Sequence, residues 1–260
     1  MTTAVHSPWQ APIIEPAMLL LAYRSGIFPM SDNRDDPEIF WVEPRRRAIL
    51  PLDGFTCSRS LARTLRRGRF AVTCNRAFDA VIDACAAPRA ESDETWISER
   101  IAATYRRMHG EGLAHSIECW KADGAGGFAL VGGLYGVGFD RVFCGESMFS
   151  QVPDASKVAL AWLVAALRQA RATLLDCQFM TDHLASLGAV EIDQAHYVEL
   201  LQAAQLPAGQ SGSAGPAAGA GAAAALALPE GFAALLAAAR SAGFSSSPGN
   251  FIAQSLTQTS

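Results

Sequence analysis

Three apolar segments in close succession, residues 114–121, 128–137 and 141–149, constrain the fold of this chain more than any other feature. Two short turns part them, one at 123–127 and one at Gly138-Phe139-Asp140. Segments of this length between turn residues read as antiparallel strands, so the middle of the chain is a three-stranded meander. Gly132, Gly133 and Gly136 fall inside the second strand and predict a bulge or a close approach of backbone to ligand. A helical pattern over 154–171 follows, then a strand over 173–180. A short helix begins near Thr181-Asp182-His183 and ends at Gly188. This order predicts an α/β (α+β) layer built on a mixed sheet.

Upstream, Pro16 and Gly26 frame a helix over 15–25. Residues 27–37 read as turn and loop, 39–42 as a short strand and 48–51 as a second extended piece. Ser58 or Ser60 caps a helix that runs to about Arg67 and closes at Gly68. Residues 70–74 form a strand. Asn75 caps a helix with the apolar stripe Phe78, Val81, Ile82 and Cys85. Ser98 caps another, with Ile101, Tyr105 and Met108 facing inward and Gly110 and Gly112 at its end. Residues 206–229 are Ala, Gly, Pro and Ser-rich and carry no charge, which predicts a flexible linker. A short helix over 232–240 follows, and the last twenty residues are expected to be poorly ordered. The expected domains are a small N-terminal one (1–48), the main body (49–205), the linker (206–229) and a tail with a short helix (230–260).

Half of the 260 residues are hydrophobic, enough for a sizeable core. The longest apolar run, 158–167, is well short of the ~20 residues that span a bilayer. The first residues show no secretory pattern, and a soluble cytoplasmic protein is expected. None of the six cysteines has C-x-x-C spacing, so they read as structural thiols. No metal-ligand spacing is present, and no metal or cofactor is expected. Residues 41–76 hold nine arginines against two acids, a net +7 in a chain of net −4, so the rest carries −11. That asymmetry marks an anion-binding surface on an acidic body. Arg59, Arg63, Arg66 and Arg67 share one helix face, which is either a phosphate-binding surface or a solvated charge face.

Chemistry concentrates in two places: Phe143-Cys144-Gly145-Glu146-Ser147-Met148-Phe149-Ser150 and Asp176-Cys177-Gln178. Each puts an acid into an apolar segment, and charges are rarely buried without a partner or a task. On a strand, Asp176 and Gln178 point to one face and Cys177 to the other. A carboxylate accepting from the Gln amide would aim its carbonyl oxygen outward. Gln is a weak base, but an α-amino group has a pKa of about 7.7–8.0 and needs little help. The plainer alternative is a satisfied polar pair at a strand end. Glu146 reads either as a group for a cationic substrate or catalysis, or as one half of a salt bridge to an arginine of the basic segment. Leu134, Phe143, Met148, Leu163 and Leu175 are large and apolar, fit either for a pocket or for ordinary core.

Taken together, the chain resembles the leucyl/phenylalanyl-tRNA–protein transferase family. The resemblance is carried in order by Gly26-Ile27-Phe28-Pro29, Phe40-Trp41, Glu94-Thr95-Trp96-Ile97, His115-Ser116-Ile117-Glu118, Gly132-Gly133-Leu134-Tyr135-Gly136, residues 143–150, Leu175-Asp176-Cys177-Gln178 and Asp182-His183-Leu184-Ala185-Ser186-Leu187-Gly188. It implies a small N-terminal domain before a GNAT-like acyltransferase domain. It implies an enzyme that moves Leu or Phe, with Met as a third candidate, from aminoacyl-tRNA to proteins with N-terminal Arg or Lys and so marks them for degradation. Cofactor, metal and membrane have no part, and a monomer is expected. By position, Gln178 matches the family's proposed base, Asp176 its partner, and Glu146 an acid near the acceptor's cationic group. Arg59, Arg63, Arg66 and Arg67 match a tRNA-contacting cluster. Leu134, Phe143, Met148, Leu163 and Leu175 match positions lining the aminoacyl pocket, with Trp41 and Trp96 as aromatics near it. Three departures stand out. Residues 12–16 lack the family's upstream Gly-rich segment, Val42 replaces a second tryptophan, and Met30 replaces a common aromatic.

Two other classes compete. A CoA-dependent N-acyltransferase wants a glycine-bearing loop that seats pyrophosphate on a helix N-terminus. Here that loop is Gln151-Val152-Pro153-Asp154-Ala155-Ser156, with no glycine. A non-catalytic RNA-binding protein explains the arginine face but leaves Asp176 and Gln178 without a role.

Overall fold

The structure, a computed structural model, describes residues 13–88, 95–206 and 224–257. The elements run α1 (Pro16–Arg24), β1 (Phe28–Met30), β2 (Phe40–Val42), β3 (Arg46–Ile49), α2 (Arg59–Arg66), β4 (Ala71–Cys74), α3 (Phe78–Ala86) and α4 (Glu99–Gly110). The meander is β5 (Ala114–Ala122), β6 (Phe128–Phe139) and β7 (Val142–Ser150). Then come α5 (Ala155–Gln169), β8 (Leu174–Gln178), α6 (Asp182–Ala185), β9 (Val190–Asp193), α7 (Gln194–Gln205), α8 (Leu228–Ser241) and α9 (Pro248–Thr257).

Seven strands form one mixed sheet in the order β4-β5-β6-β7-β8-β3-β9. All its pairings are antiparallel except β7 with β8. Parallel neighbours need a crossover, and α5 provides it. A separate two-stranded sheet pairs β1 with β2, so the fold is mixed α/β with a small N-terminal unit before the main sheet. This architecture is compatible with a GNAT-like domain.

Each face of the sheet carries its own core. On one face, α5 lies between the sheet and α2, α8 and α9. It is buried from Ala155 to Leu167 apart from Lys157. Its apolar residues continue round the helix, as they must in a helix covered on all sides. On the other face α1, α3, α4 and α7 bury Tyr23, Ile82, Tyr105 and Tyr197 against Tyr135, Val137 and Leu174. Strand alternation sorts the neighbours Leu174 and Leu175 into opposite cores.

The glycines of β6 serve packing. A Cβ on Gly132 would stand 2.5 Å from that of Ala155, so the residue lets α5 press onto the strand. A Cβ on Gly136 would stand 2.2 Å from the Cys144 carbonyl oxygen, beside a bulge in the β6–β7 pairing.

Several expectations need correction. Residues 28–30, read as loop, form β1; Pro29 is tolerated because the strand is short and at an edge. Asn75 does not cap α3. It takes φ +58°, which Asn tolerates, and its side chain bonds His115 and the Ser116 N–H. The α3 cap residue is Ala77, whose N–H reaches the buried Glu118 carboxylate at 3.4 Å. Of the expected linker, 207–223 lie outside the described residues. Ala224 and Ala225 bond to the β6–β7 turn, and Leu226 and Leu228 are buried. Residues 248–257, expected to be poorly ordered, form α9, whose Ile252, Ala253 and Leu256 enter the core.

Candidate active site

The parallel pairing of β7 and β8 ends at Cys144 and Asp176. Two residues further along each strand stand Glu146 and Gln178. Gly136 pairs with Gly145 and Tyr135 with Ser147, so Glu146 is the extra residue of a bulge. A bulge re-aims the strand, and here it decides which side chains share a face. Phe143 and Met148 are five apart and would alternate to opposite faces. With the bulge between them, Phe143 is buried with Leu134, Leu163 and Leu175, and Met148 packs against the same cluster. Glu146 turns to the opposite face, among the tyrosines.

Asp176 is fully buried and ionically paired. Its Oδ1 accepts from Arg47 Nε at 2.9 Å and its Oδ2 from Arg47 Nη2 at 2.6 Å. Tyr197 donates to Oδ2 at 2.9 Å, and the Gln178 main-chain N–H donates to Oδ1 at 2.8 Å. Burial works against the charge of the Arg47 guanidinium, but Asp176 beside it outweighs burial and holds it firmly protonated. A bidentate guanidinium–carboxylate pair is the form in which a buried charge pair is best compensated.

Gln178 has φ +61°, a left-handed conformation that costs a residue other than glycine about 1–3 kcal/mol. The Asp176 carboxylate offsets this by accepting its N–H. From that position Gln178 Nε2 donates to Glu146 Oε1 at 2.9 Å. Tyr23 reaches the same oxygen at 2.7 Å and Tyr105 reaches Oε2 at 2.8 Å, while the two hydroxyls stand 2.5 Å apart. Both phenols donate to the carboxylate. Burial pushes the carboxyl up to about 7, against the pull of the Tyr23, Tyr105 and Gln178 bonds. Burial also raises the Tyr23 and Tyr105 phenols well above their ordinary range, so both keep their protons.

The expected common face of Asp176 and Gln178 holds, but the expected bond between their side chains does not form. Asp176 takes the main-chain N–H, and the Gln178 amide turns to Glu146. The arginine considered as a partner for Glu146 goes to Asp176 instead; among the described residues Glu146 makes no ion pair. Four contributing residues were not read from sequence: Arg47 among the basic run, Tyr105 taken as plain core, and Tyr23 and Tyr197. One signal was available for Arg47. It lies two residues before the buried Ile49 on a strand, hence on the core face.

Of the residues assigned to an aminoacyl pocket, Leu134, Phe143, Met148, Leu163 and Leu175 belong to one apolar cluster, across the sheet from Glu146. Trp96 packs against the other cluster, and Trp41 is 42 % exposed on β2. A cleft of about 620 Å³ at the opposite end of β8 includes only Leu175 of this set, beside Leu50, Leu52 and Leu200. Ser58 caps α2 by accepting the Leu61 N–H. Leu61 and Leu65 are buried beneath the helix, so Arg59, Arg63, Arg66 and Arg67 fall on its exposed side. None of the four makes an ion pair among the described residues. No group of three His, Cys, Asp or Glu that could hold a metal ion occurs among the described residues either.

A pinned carboxamide against a titratable buried carboxyl, at the end of a parallel strand pair, is the candidate active site of this fold. Known proteins supply the class. Residues 49–202 match the family model described as leucyl/phenylalanyl-tRNA protein transferase, and residues 13–45 match that family's N-terminal domain. A leucyl/phenylalanyl-tRNA–protein transferase of Novosphingobium aromaticivorans is 64 % identical, covering 95 % of this chain and 97 % of its own. Relatives so named from Zymomonas mobilis (55 %, covering 74 % and 70 %) and Rhizorhabdus wittichii (54 %, covering 78 % and 79 %) agree. The chain belongs to the leucyl/phenylalanyl-tRNA–protein transferase family and is an aminoacyltransferase.

Proposed function

We propose that this chain moves Leu or Phe from the 3′ ester of aminoacyl-tRNA to the α-amino group of a protein with N-terminal Arg or Lys, with Met as a third donor residue. The product's new N-terminus marks it for degradation. The acceptor nitrogen attacks the ester carbonyl, a C–N bond forms, and the C–O bond to the tRNA breaks. The ammonium proton passes to solvent or to the departing oxygen. The ester is already activated, so the step needs no ATP and no metal.

The observation that carries this reading is the double hold on Gln178. Its main-chain N–H is fixed on Asp176 and its side-chain Nε2 on Glu146. Oε1 is the end of the amide left to accept from an incoming amine. A fixed acceptor orients an amine whose pKa, about 7.7–8.0, already leaves part of it neutral. Glu146 holds the amide and also stands as the acid nearest the acceptor's cationic group. Leu134, Phe143, Met148, Leu163 and Leu175, with Trp41 and Trp96, are proposed to meet the transferred side chain. Such a pocket separates side chains one methylene apart by only about 1–3 kcal/mol, which accords with more than one donor residue. Arg59, Arg63, Arg66 and Arg67 are proposed to meet tRNA phosphates. The protein is proposed to work as a monomer in the cytoplasm, where charged tRNA is found. Among the described residues no helix is long and apolar enough to cross a membrane.

The test is transfer of labelled leucine from Leu-tRNA to two peptides, one beginning with Arg and one with Ala. Label on the Arg peptide alone is expected. Label on neither, or on both equally, would refute the acceptor rule.

A further inference from the structure

Arg47 is the largest fully buried side chain of the described residues, 1 % exposed. Burying a guanidinium opposite a carboxylate gives little net stability, since an apolar pair of similar volume often serves as well. What this pair adds is geometry. Arg47 Nη1 donates to the Gly26 carbonyl at 3.0 Å. The guanidinium carbon stands 4.8 Å from the Phe28 ring centroid and 4.4 Å from that of Tyr197. One planar group therefore registers the N-terminal segment and α7 against the end of β8.

Counting donors at Asp176 shows the consequence. A carboxylate has about four lone-pair positions. Arg47 Nε and the Gln178 N–H occupy those of Oδ1; Arg47 Nη2 and the Tyr197 hydroxyl occupy those of Oδ2. None remains for a substrate amine or for the Gln178 side chain. Asp176 can act on the reaction only through the main chain of Gln178. We infer that Arg47 is a positioning residue for aminoacyl transfer: it fixes the carboxylate that holds Gln178 in its left-handed conformation, from which the amide meets Glu146 and presents Oε1. Arg47 is too deeply buried to touch either substrate, so it acts through Asp176. The inference rests on the aminoacyl-transfer reading above.

The test uses R47K, R47M and the double variant R47M/D176L in the full chain. Lysine keeps the charge but lacks the fork, so it does not rescue. A misplaced reacting group costs up to about 100-fold, so R47K is expected to lose about 10- to 100-fold in kcat. Its KM for Leu-tRNA should stay within about twofold, because ground-state binding is untouched. The Gln178 amide proton, observed by NMR in labelled protein, should move upfield in R47K as its bond to Asp176 loosens. A folded R47K with kcat near the parent's would overturn the inference. A loss carried by KM alone would do the same. Should R47M not fold, the double variant removes both charges together and is expected to fold and remain slow; parental kcat in it contradicts the inference. If the parent protein transfers nothing, the aminoacyl reading fails by itself. The Gln178 amide then still decides whether Arg47 holds the strand end, and an unmoved resonance counts against it.

Discussion

Asp176 and Glu146 lie on adjacent strands and the same face of the sheet, 0 % and 8 % exposed. Asp176 faces a guanidinium, while Glu146 faces two phenols and an amide. The first carboxyl is therefore one half of a buried ion pair, with its four acceptor positions filled. The second is raised to about 7 by burial, and it accepts from both phenols and the amide. Two acids of nearly the same chemistry are set apart by their neighbours: one holds the main chain of Gln178, the other its side-chain Nε2.

The comparison breaks most easily at the ion pair. Removing one partner of a buried pair costs about 3–5 kcal/mol, so D176A should unfold at much lower temperature or denaturant than the parent. R47M/D176L should recover most of that loss. Equal melting of D176A and parent would mean that the guanidinium is not held as described.

The next effect concerns pH. The Glu146 carboxyl is raised from 4.5 to about 7 in the folded chain. Between those values the unfolded chain has released the proton and the folded chain has kept it. This group therefore lowers stability as pH rises through that window. E146Q should remove that slope from a plot of unfolding free energy against pH. An unchanged slope in E146Q would mean that the Glu146 carboxyl is not raised in the folded chain. Smaller still, Y23F and Y105F each remove one donor and should cost about 1–3 kcal/mol. Each should also raise the Glu146 carboxyl further, since the lost bond favoured the ionised form.

The smallest effects belong to the exposed charges of α2. R63A/R67A should weaken tRNA binding without lowering kcat and flatten its salt dependence by about 0.7–0.9 per lost phosphate contact. The same slope in variant and parent would remove this face from the tRNA interface.

How far the sequence could be read follows from the range of the forces involved. The meander, α5 and β8 were legible because alternation and helical period are local. So were the Ser58 and Ser98 caps, each bonding three residues ahead. Asp176, Gln178 and Glu146 stood out as polar residues in apolar strands. Their partners did not. Arg47 lies 129 residues from Asp176, and Tyr23 lies 123 from Glu146, distances that no period spans. The helix expected over 232–240 is there as α8, but the serine-rich neighbourhood of α9 hid a stripe that becomes core only once α5 and α2 are there to receive it. β9 and α7 were not foreseen because β9 owes its place to β3, far upstream.

The most direct measurement is single-turnover transfer by Q178A at saturating Arg-peptide, with Leu-tRNA affinity measured alongside. Positioning by Gln178 predicts a rate lower by about 100-fold at unchanged tRNA affinity. Transfer by Q178A at the parental rate would contradict the account.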